Sequence, residues 1–508
     1  MYDPETVESI EEIDSCNDYE GTEFILKGLP QLKSIVIGEE CFLTTRTFEL
    51  DGLNALERVV IGRWSFADVN SYDDVKNSQR TDGNYTISNC AHLKSIQIDD
   101  VAFGDYRFFS LTNLPSLESI VMGAYSFYHA PLVLQDLPSL RSMAFGDYAF
   151  YNAPSVVVKH MKSLRSFNIS SKAFQSATSF ELTELEALET VEIGENCFNS
   201  TNSFALIDLP QLQSVKLGDE AFRNTRSFAM SNLTSLQSIE FGQWCFGGTY
   251  DENKRVWIGG ASSFSLIDLP LLQSVKLGDK AFLNAKSFAM SNLTSLQSID
   301  IGQSCFYSAS SFSLIDLPLL QSVKLGDGAF SYTGSFAMSN LTSLQSIEFG
   351  GGCFGGYDGY GASSFSLIDL PLLQSVKLGD KAFRVAKSFA MSNLTSLQSI
   401  EFGVGCFGGH YYYGGGASSF SLIDLPLLQS VKLGDEAFRV AKSFAMSNLT
   451  SLQSIEFGVG CFGGHYYYGG GASSFSLIDL PLLQSVKLGD EAFRVAKSFA
   501  MSNLTSLQ

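Results

Sequence analysis

An internal repeat of about 24 residues constrains this chain more than any other feature, because a short repeat buries its core only by stacking on its copies. We mark each repeat by an anchor residue, which precedes a recurring Leu-Pro or Leu-Thr pair or its equivalent. Most intervals between anchors are 23 or 24 residues, and the others contain a visible insertion. One stacked array is therefore predicted, although 508 residues would ordinarily suggest several domains. The anchors are Gly28, Gly52, Asn89, Asn113, Asp136, His160, Glu184, Asp208, Asn232, Asp268, Asn292, Asp316, Asn340, Asp369, Asn393, Asp424, Asn448, Asp479 and Asn503.

Each repeat contains two short alternating segments. Counting from the anchor, Leu occupies position +4, Val or Ile position +7 and an apolar residue position +9, as in Leu212, Val215 and Leu217. Gly usually follows at position +10, which predicts a turn, and Phe occupies position +14. A Ser-Phe-x-Leu or Ser-Phe-x-Met segment comes next. Because side chains alternate between the two faces of a strand, each coil is predicted to have two strand-like sides.

The segment from Leu212 to Phe222 resembles the BspA-type leucine-rich repeat, in which a Leu-x-x-Ile-x-Ile strand precedes Gly-x-x-Ala-Phe. The segment from Leu428 to Phe438 shows the same pattern, and the resemblance continues from about Gly28 onward. It implies a repeat solenoid, a leucine-rich repeat array that is mostly β, with two short parallel sheets and few or no helices. We expect residues 1–27 to form an acidic N-terminal segment with a degenerate repeat. We expect residues 28–508 to form a single leucine-rich repeat solenoid, truncated at the C-terminus.

Recurrent Phe and Cys residues are predicted to be core residues. Of 41 Phe, 18 occupy position +14 and 16 lie four residues before an anchor, which indicates stacked rings. Seven of nine Cys occupy position +13, where other repeats carry Ala or Ser. From Cys197 onward Cys and Ala alternate, so neighbouring thiols lie two coils or about 10 Å apart, beyond disulfide reach. No C-x-x-C motif occurs, and we expect no metal and no cofactor.

Two polar rows are predicted to fix the stacking of the coils. Position +8 alternates in charge from Lys216 to Lys487, so adjacent coils place opposite charges side by side. The anchors alternate between Asp and Asn in the later repeats, and both residue types bond turn backbone. We interpret the first row as a register lock and the second as a turn-capping ladder. A flat polar face of this kind is also compatible with protein binding.

The insertions are the candidate binding site. All of them follow the Phe at position +14, and the long ones span about 67–84, 247–263, 355–364, 408–419 and 463–474. Loops at one point of the coil emerge from one edge, and Tyr offers a large contact area at low entropic cost. A product of repeat slippage with no partner is the alternative interpretation. The candidate partner-binding residues are Tyr250, Trp257, Tyr357, Tyr360, His410, Tyr411, Tyr412, Tyr413, His465, Tyr466, Tyr467 and Tyr468.

Composition narrows the function classes. Acidic residues outnumber basic residues 53 to 33, which disfavours nucleic acid and anionic membranes, and no 18-residue apolar stretch occurs. No catalytic motif occurs either, so a β-helix carbohydrate-active enzyme is a remote alternative. We expect a non-catalytic protein-interaction scaffold that binds a protein or a glycan, as a surface adhesin or as an intracellular scaffold. The expected localisation depends on where the protein begins. We expect a cytoplasmic protein if Met1 is the true start, and a cell-surface or secreted protein if the chain is a fragment.

Overall fold

The computed structural model describes residues 6–12, 20–69, 71–78, 80–356, 360–410, 415–464 and 469–507. The chain divides into two compact units. Unit 1 comprises residues 1–236 and 248–260, and unit 2 comprises residues 237–247 and 261–508. Each unit is a β-solenoid whose coils have a front strand at positions +6 to +9 and a back strand that ends at or next to the following anchor. The predicted fold class is confirmed.

The front strands of each unit form a continuous parallel ladder. Equivalent residues lie side by side even across an insertion, as Ser399 and Ser430 do. The front strands of unit 1 are β1 (Ser9–Glu12), β3 (Ser34–Ile37), β5 (Arg58–Ile61), β7 (Ser95–Ile98), β9 (Ser119–Met122), β11 (Ser142–Phe145), β13 (Ser166–Ile169), β15 (Thr190–Ile193) and β17 (Ser214–Leu217). Those of unit 2 are β19 (Ser238–Phe241), β23 (Ser274–Leu277), β25 (Ser298–Ile301), β27 (Ser322–Leu325), β29 (Ser346–Phe349), β31 (Ser375–Leu378), β33 (Ser399–Phe402), β35 (Ser430–Leu433), β37 (Ser454–Phe457) and β39 (Ser485–Leu488).

The back strands are also parallel but form shorter sheets. Both breaks among the described back strands of unit 2 follow a long insertion, before β30 (Ser364–Ile368) and before β34 (Ser419–Ile423). The back strands of unit 1 are β2 (Glu23–Lys27), β4 (Thr47–Asp51), β6 (Asn84–Ser88), β8 (Phe108–Thr112), β10 (Leu132–Gln135), β12 (Ser155–Lys159), β14 (Ser179–Thr183), β16 (Ser203–Ile207) and β18 (Ser227–Ser231). Those of unit 2 are β22 (Ser263–Ile267), β24 (Ser287–Ser291), β26 (Ser311–Ile315), β28 (Ser335–Ser339), β30 (Ser364–Ile368), β32 (Ser388–Ser392), β34 (Ser419–Ile423), β36 (Ser443–Ser447), β38 (Ser474–Ile478) and β40 (Ser498–Ser502).

The core between front and back strands contains two rows of Phe rings, as predicted. Rings at position +14 stack on their equivalents in the next coil, as Phe306 does on Phe330 with centroids 5.0 Å apart. Rings of the back strands meet this row edge-on, as Phe312 meets Phe330 at 4.9 Å. Phe306, Phe312 and Phe330 are at most 1 % exposed, whereas Phe499 in the last back strand is 63 % exposed. Stacked and edge-to-face rings therefore link each coil to both neighbours.

Three residues of each coil have a left-handed backbone: the anchor and positions +12 and +14. In one coil these are Asn292 (φ 55°), Ser304 (φ 57°) and Phe306 (φ 52°). Every Phe at position +14 has φ between 47° and 58°, a conformation that costs a bulky L-residue about 1–2 kcal/mol. Burial of the ring offsets this strain, since it stabilises by about 1.5–3 kcal/mol. The coil turn is therefore maintained by packing and not by local preference.

The Gly at position +10 begins a turn, as predicted, since the Gly278 carbonyl accepts a hydrogen bond from the Ala281 amide, but it also has a second role. Its φ is not left-handed, but a Cβ on Gly302 would lie 2.6 Å from the carbonyl carbon of Gly278 in the preceding coil. A Cβ on Gly326 would lie 2.7 Å from the carbonyl carbon of Gly302. Glycine is therefore required because successive coils approach closely at this corner.

The alternating charges lie side by side, as the register of the front strands requires. Lys276 Nζ lies 2.9 Å from Glu240 Oε1, and Lys487 Nζ lies 2.8 Å from Glu456 Oε1. These side chains are 45 % to 77 % exposed, so each pair stabilises weakly, but a one-coil slip would oppose like charges.

The anchor ladder differs in one respect from the prediction, because its side chains bond to each other. Asn292 Nδ2 donates to Asp268 Oδ1 at 2.9 Å, and Asn340 Nδ2 donates to Asp316 Oδ1 at 2.7 Å. The left-handed anchor backbone turns the chain, while the Asn amide ties two consecutive turns together. The seven Cys at position +13 are buried, as predicted for core residues.

Candidate partner-binding loops

The 247–263 insertion contains a β-hairpin in unit 1. Strands β20 (Thr249–Asp251) and β21 (Val256–Ile258) pair antiparallel, with Tyr250 opposite Trp257. The Asp251 Oδ1 atom accepts hydrogen bonds from the Asn253 and Lys254 amides and so closes the turn between the strands. We call residues 249–258 the exposed hairpin.

The exposed hairpin is fixed to the coil beneath it. Arg223 and Gly248 exchange two hydrogen bonds: the Gly248 amide donates to the Arg223 carbonyl at 2.8 Å, and Arg223 Nε donates to the Gly248 carbonyl at 3.1 Å. Thr249 Oγ1 donates to Asn224 Oδ1 at 2.9 Å. Gly259 has φ +71° and lies against Asn224 so closely that a Cβ would be 2.7 Å from its carbonyl oxygen. The base is thus held by polar contacts, independently of the side chains further out.

The strands of the exposed hairpin present large apolar side chains to solvent, beside a charged turn. Tyr250 and Trp257 are 45 % and 43 % exposed, and their rings meet edge-on with centroids 5.3 Å apart. Val256 is 47 % exposed and Ile258 38 % exposed. Large apolar side chains that are held in place yet left half in water are typical of protein interfaces, where Trp and Tyr dominate binding energy.

In unit 2 the described parts of the loops repeat this mode of attachment. The Gly409 amide donates to the Arg384 carbonyl at 2.9 Å, and Arg384 Nε donates to the Gly409 carbonyl at 3.0 Å. The Gly464 amide donates to the Arg439 carbonyl at 2.8 Å. The side chain of an Arg one position after the core Phe of the preceding coil therefore holds the loop base at Gly248 and Gly409, a role that the sequence analysis missed. At Gly464 only the main chain of Arg439 takes part.

Two predicted site residues of unit 2 lie in described segments. Tyr360 is 69 % exposed, and its carbonyl approaches Gly356 so closely that a Cβ there would overlap it. His410 lines a cavity of about 280 Å³ together with Arg439 and Lys442. Eight other predicted residues lie outside the described residues: Tyr357, Tyr411, Tyr412, Tyr413, His465, Tyr466, Tyr467 and Tyr468.

The 67–84 insertion folds back onto unit 1. It contains a short helix, α1 (Tyr72–Asn77), whose Ser71 Oγ accepts a hydrogen bond from the Asp74 amide. Val75 is fully buried, and its carbonyl lies 3.0 Å from His129 Nε2. The Tyr72 ring of this helix contacts the edge of the coils, where it meets the Tyr125 ring with centroids 4.7 Å apart. This insertion is packed against the coils, in contrast to the exposed hairpin.

A buried ion pair lies beside this helix. Arg80 Nε lies 3.1 Å from Asp105 Oδ2, with the two side chains 7 % and 2 % exposed. Burial raises the pKa of Asp105 to about 6, and the attraction of Arg80 only partly opposes the rise. In the same way burial raises the pKa of the Cys406 and Cys461 thiols to about 12, so these thiols are poor nucleophiles. Within the described ranges no group of three or more His, Cys, Asp or Glu could hold a metal ion.

A family comparison agrees with this architecture. The model of the BspA-type leucine-rich repeat region matches residues 35–157, 121–253 and 260–358, which together make up more than half of the chain. The chain belongs to the BspA-type leucine-rich repeat family. The predicted resemblance is thereby confirmed.

Solved structures similar to this BspA-type chain are also leucine-rich repeat proteins. The circular leucine-rich repeat protein CroV588 is 12% identical, with 93% of this chain and 73% of that chain covered and a TM-score of 0.30. A leucine-rich repeat protein from Bacteroides ovatus is 13% identical, with coverages of 85% and 80% and a TM-score of 0.23. A leucine-rich cell surface protein from Faecalibacterium prausnitzii is 13% identical, with coverages of 75% and 88% and a TM-score of 0.16. Because the TM-scores are low, nothing about function is transferred from these proteins.

No curated protein matches this BspA-type chain in sequence. No helix in the described ranges is long and apolar enough to cross a membrane. The family membership supports a repeat scaffold whose fold suits protein interaction, and it specifies no partner.

Proposed function

We propose that this chain is a non-catalytic scaffold that binds a partner protein through its insertion loops, with the exposed hairpin of unit 1 as a principal contact. The observation that carries the proposal is the pairing of Tyr250 with Trp257 on a hairpin held at its base. A two-stranded hairpin is marginally stable alone, so its anchoring by Arg223 and Asn224 is needed to keep these rings in one position.

The contrast with the 67–84 insertion supports this assignment. That insertion buries Val75 and contacts Tyr125, so its apolar side chains already have partners within the chain. The hairpin instead leaves Val256, Trp257 and Ile258 between 38 % and 47 % exposed. Burial of these side chains by a partner would gain hydrophobic free energy that the isolated chain forgoes.

In unit 2 we propose the same role for Tyr360 and His410. The proposal extends to the remaining loop residues Tyr357, Tyr411, Tyr412, Tyr413, His465, Tyr466, Tyr467 and Tyr468. Adhesion at a cell surface and assembly inside a cell are both uses of such a scaffold, and the partner identified by the experiment below distinguishes them.

The test probes a protein array and a glycan array with the full chain. The wild type is compared with the double variant Tyr250→Ser/Trp257→Ser and with Phe108→Ser, a matched control in unit 1 whose ring is 55 % exposed on back strand β8. We expect protein ligands that wild type and control bind equally and that the double variant binds at least about tenfold more weakly.

Two outcomes contradict the proposal. Protein ligands that bind the double variant as tightly as wild type would remove the hairpin from the interface. Binding confined to glycans would replace the protein partner with a carbohydrate. Equal melting temperatures for all three chains are the control for folding, because the hairpin base is held by Arg223 and Asn224.

A further inference from the structure

Unit 2 carries an exposed apolar stripe along the edge where back strands turn into front strands. Coils with an Asp anchor have Ile just before the anchor and Leu three residues after it. These side chains are 37 % to 47 % exposed, although buried Leu residues flank them at positions +1 and +4. We call them the edge residues. They are Ile267, Leu271, Ile315, Leu319, Ile368, Leu372, Ile423, Leu427, Ile478 and Leu482.

The stripe is interrupted at every second coil. Coils with an Asn anchor carry Ser at both equivalent positions, as in Ser291 and Ser295. The strand register places Ser291 between Ile267 and Ile315, and the same alternation recurs further along the unit. The edge therefore consists of apolar ridges separated by gaps lined with Ser. Because hydrogen-bonded coils are about 4.8 Å apart, ridges such as Ile267 and Ile315 repeat about every 9.6 Å. Across the two breaks in the back sheet, the front strands keep the coils in the same register.

The edge is also rigid. Asn292 Nδ2 donates to Asp268 Oδ1, and Thr294 Oγ1 donates to the Pro270 carbonyl at 3.3 Å. Asn340 and Thr342 make the equivalent bonds in a later pair of coils. Turns that are already held in one conformation lose little entropy when a partner binds.

We propose that this stripe is the contact surface for a second copy of the chain, with the apolar ridges of one copy seated in the Ser-lined gaps of the other. The spacing identifies the partner. Only an array with the same two-coil period can fill several successive gaps. A helix with a seven-residue repeat advances about 10.5 Å per repeat, and so loses register by several Å over four intervals.

The charges of the anchor residues also favour an arrangement in which the two copies are offset by one coil. If two copies met with equivalent coils opposed, carboxylates such as those of Asp268 and Asp316 would face each other across the interface. A shift by one coil places each Asp against an Asn such as Asn292, which is uncharged and has an amide that can donate. The same shift places Ile and Leu against Ser. Steric fit and charge therefore select one register.

The test is sedimentation velocity of the full chain over a series of concentrations. We expect a reversible dimer that strengthens with ionic strength, because salt screens the remaining carboxylates. Replacing all five edge Leu residues by Ser should weaken the dimer at least about tenfold. These variants should fold, since Ser occupies the same position in the alternate coils. The substitutions are Leu271→Ser, Leu319→Ser, Leu372→Ser, Leu427→Ser and Leu482→Ser.

Two further variants distinguish an interface of complementary ridges and gaps from nonspecific hydrophobic association. Val404→Ser/Val459→Ser removes exposed apolar side chains on another face of unit 2 and should leave the dimer unchanged. Filling the gaps with Ser295→Leu, Ser343→Leu, Ser396→Leu and Ser451→Leu should weaken it, because the ridges then have no space to enter. A gap-filled chain that associates more tightly, edge variants that dimerise like wild type, or a wild type that stays monomeric would each overturn the proposal.

Discussion

Because the core Phe residues have a left-handed backbone, we expect substitutions at these positions to follow an unusual order of stability. Phe330 has φ 55° and is fully buried. Its ring stacks on Phe306 and Phe354, with centroids at 5.0 and 5.6 Å, and meets Phe288 and Phe312 edge-on. Replacing a buried Phe by Ala costs about 3–5 kcal/mol. Ala at this position would keep the left-handed strain of about 1–2 kcal/mol, whereas Gly would relieve it.

We therefore expect Phe330→Gly to be less destabilising than Phe330→Ala. Part of the relief is offset, because Gly gives the unfolded chain about 0.4–1 kcal/mol more conformational entropy. The net difference in favour of Gly is about 1 kcal/mol. Phe336 is the matched control, since it is a buried ring of back strand β28 without a positive φ. There Gly should be worse than Ala by about 0.5–1 kcal/mol.

Hydrogen exchange is the appropriate assay, because long repeat arrays unfold in parts and lack a single free energy of unfolding. Segment 326–335 occurs once in the chain, so its peptide is unambiguous in mass spectrometry. It contains the Phe330 and Thr333 amides, which donate to the carbonyls of Cys305 and Phe330. The same peptide reports on all four variants. Ala more stable than Gly at both positions would refute the reasoning from strain.

Three further outcomes follow from the structure. At pH 8 or so, iodoacetamide should modify Cys406 at least roughly a hundredfold more slowly in the native chain than in urea, because burial raises the pKa of this thiol to about 12. Asn340→Asp should destabilise its coil by about 1 kcal/mol at neutral pH, because two carboxylates then face each other, and by less below about pH 4, as measured by hydrogen exchange of that coil. Burial raises the pKa of Asp105 to about 6, so the folded state keeps a proton that the unfolded state releases. The local stability of wild type around Asp105, relative to Asp105→Asn, should therefore fall by about 2 kcal/mol as the pH rises from about 4 to 7, as measured by hydrogen exchange.

Repetition made much of the fold predictable. Alternation at positions +7 and +9 predicts the front strands, and recurrence assigns most Phe and Cys residues to the core. The charge row from Lys216 to Lys487 is predictable for the same reason, since a parallel register places equivalent residues side by side. Comparison of the repeats within the sequence therefore predicts which residues are in contact in the fold.

Backbone conformation was less accessible. The sequence shows that Phe recurs at position +14, but aromatic residues ordinarily avoid a positive φ, so nothing in the residue type indicates the left-handed turn at Phe306 or Phe330. The Gly at position +10 was correctly placed at a turn, but the sequence did not show that Gly302 is also required by its contact with the preceding coil. Both features depend on residues about 24 positions apart meeting across the stack.

The candidate site was likewise only partly predictable from the sequence. Composition and position identified the insertions, including Tyr250 and Trp257, but did not show that these two rings meet across a hairpin. The role of Arg223 at the loop base was missed, because its partner Gly248 lies in the next coil. The edge residues were missed too, because their exposure is apparent only when the corner between back and front strands is formed.

By itself, the sequence determined the period, the family, the strand pattern and the order of charges, because each is a property of spacing along the chain. The tertiary structure alone decided which insertion packs against the coils and which stands exposed. It also decided which apolar side chains remain in water, and where the backbone is strained. The physical reason is that burial and strain depend on how neighbouring coils approach each other in space, and spacing along one coil does not specify that approach.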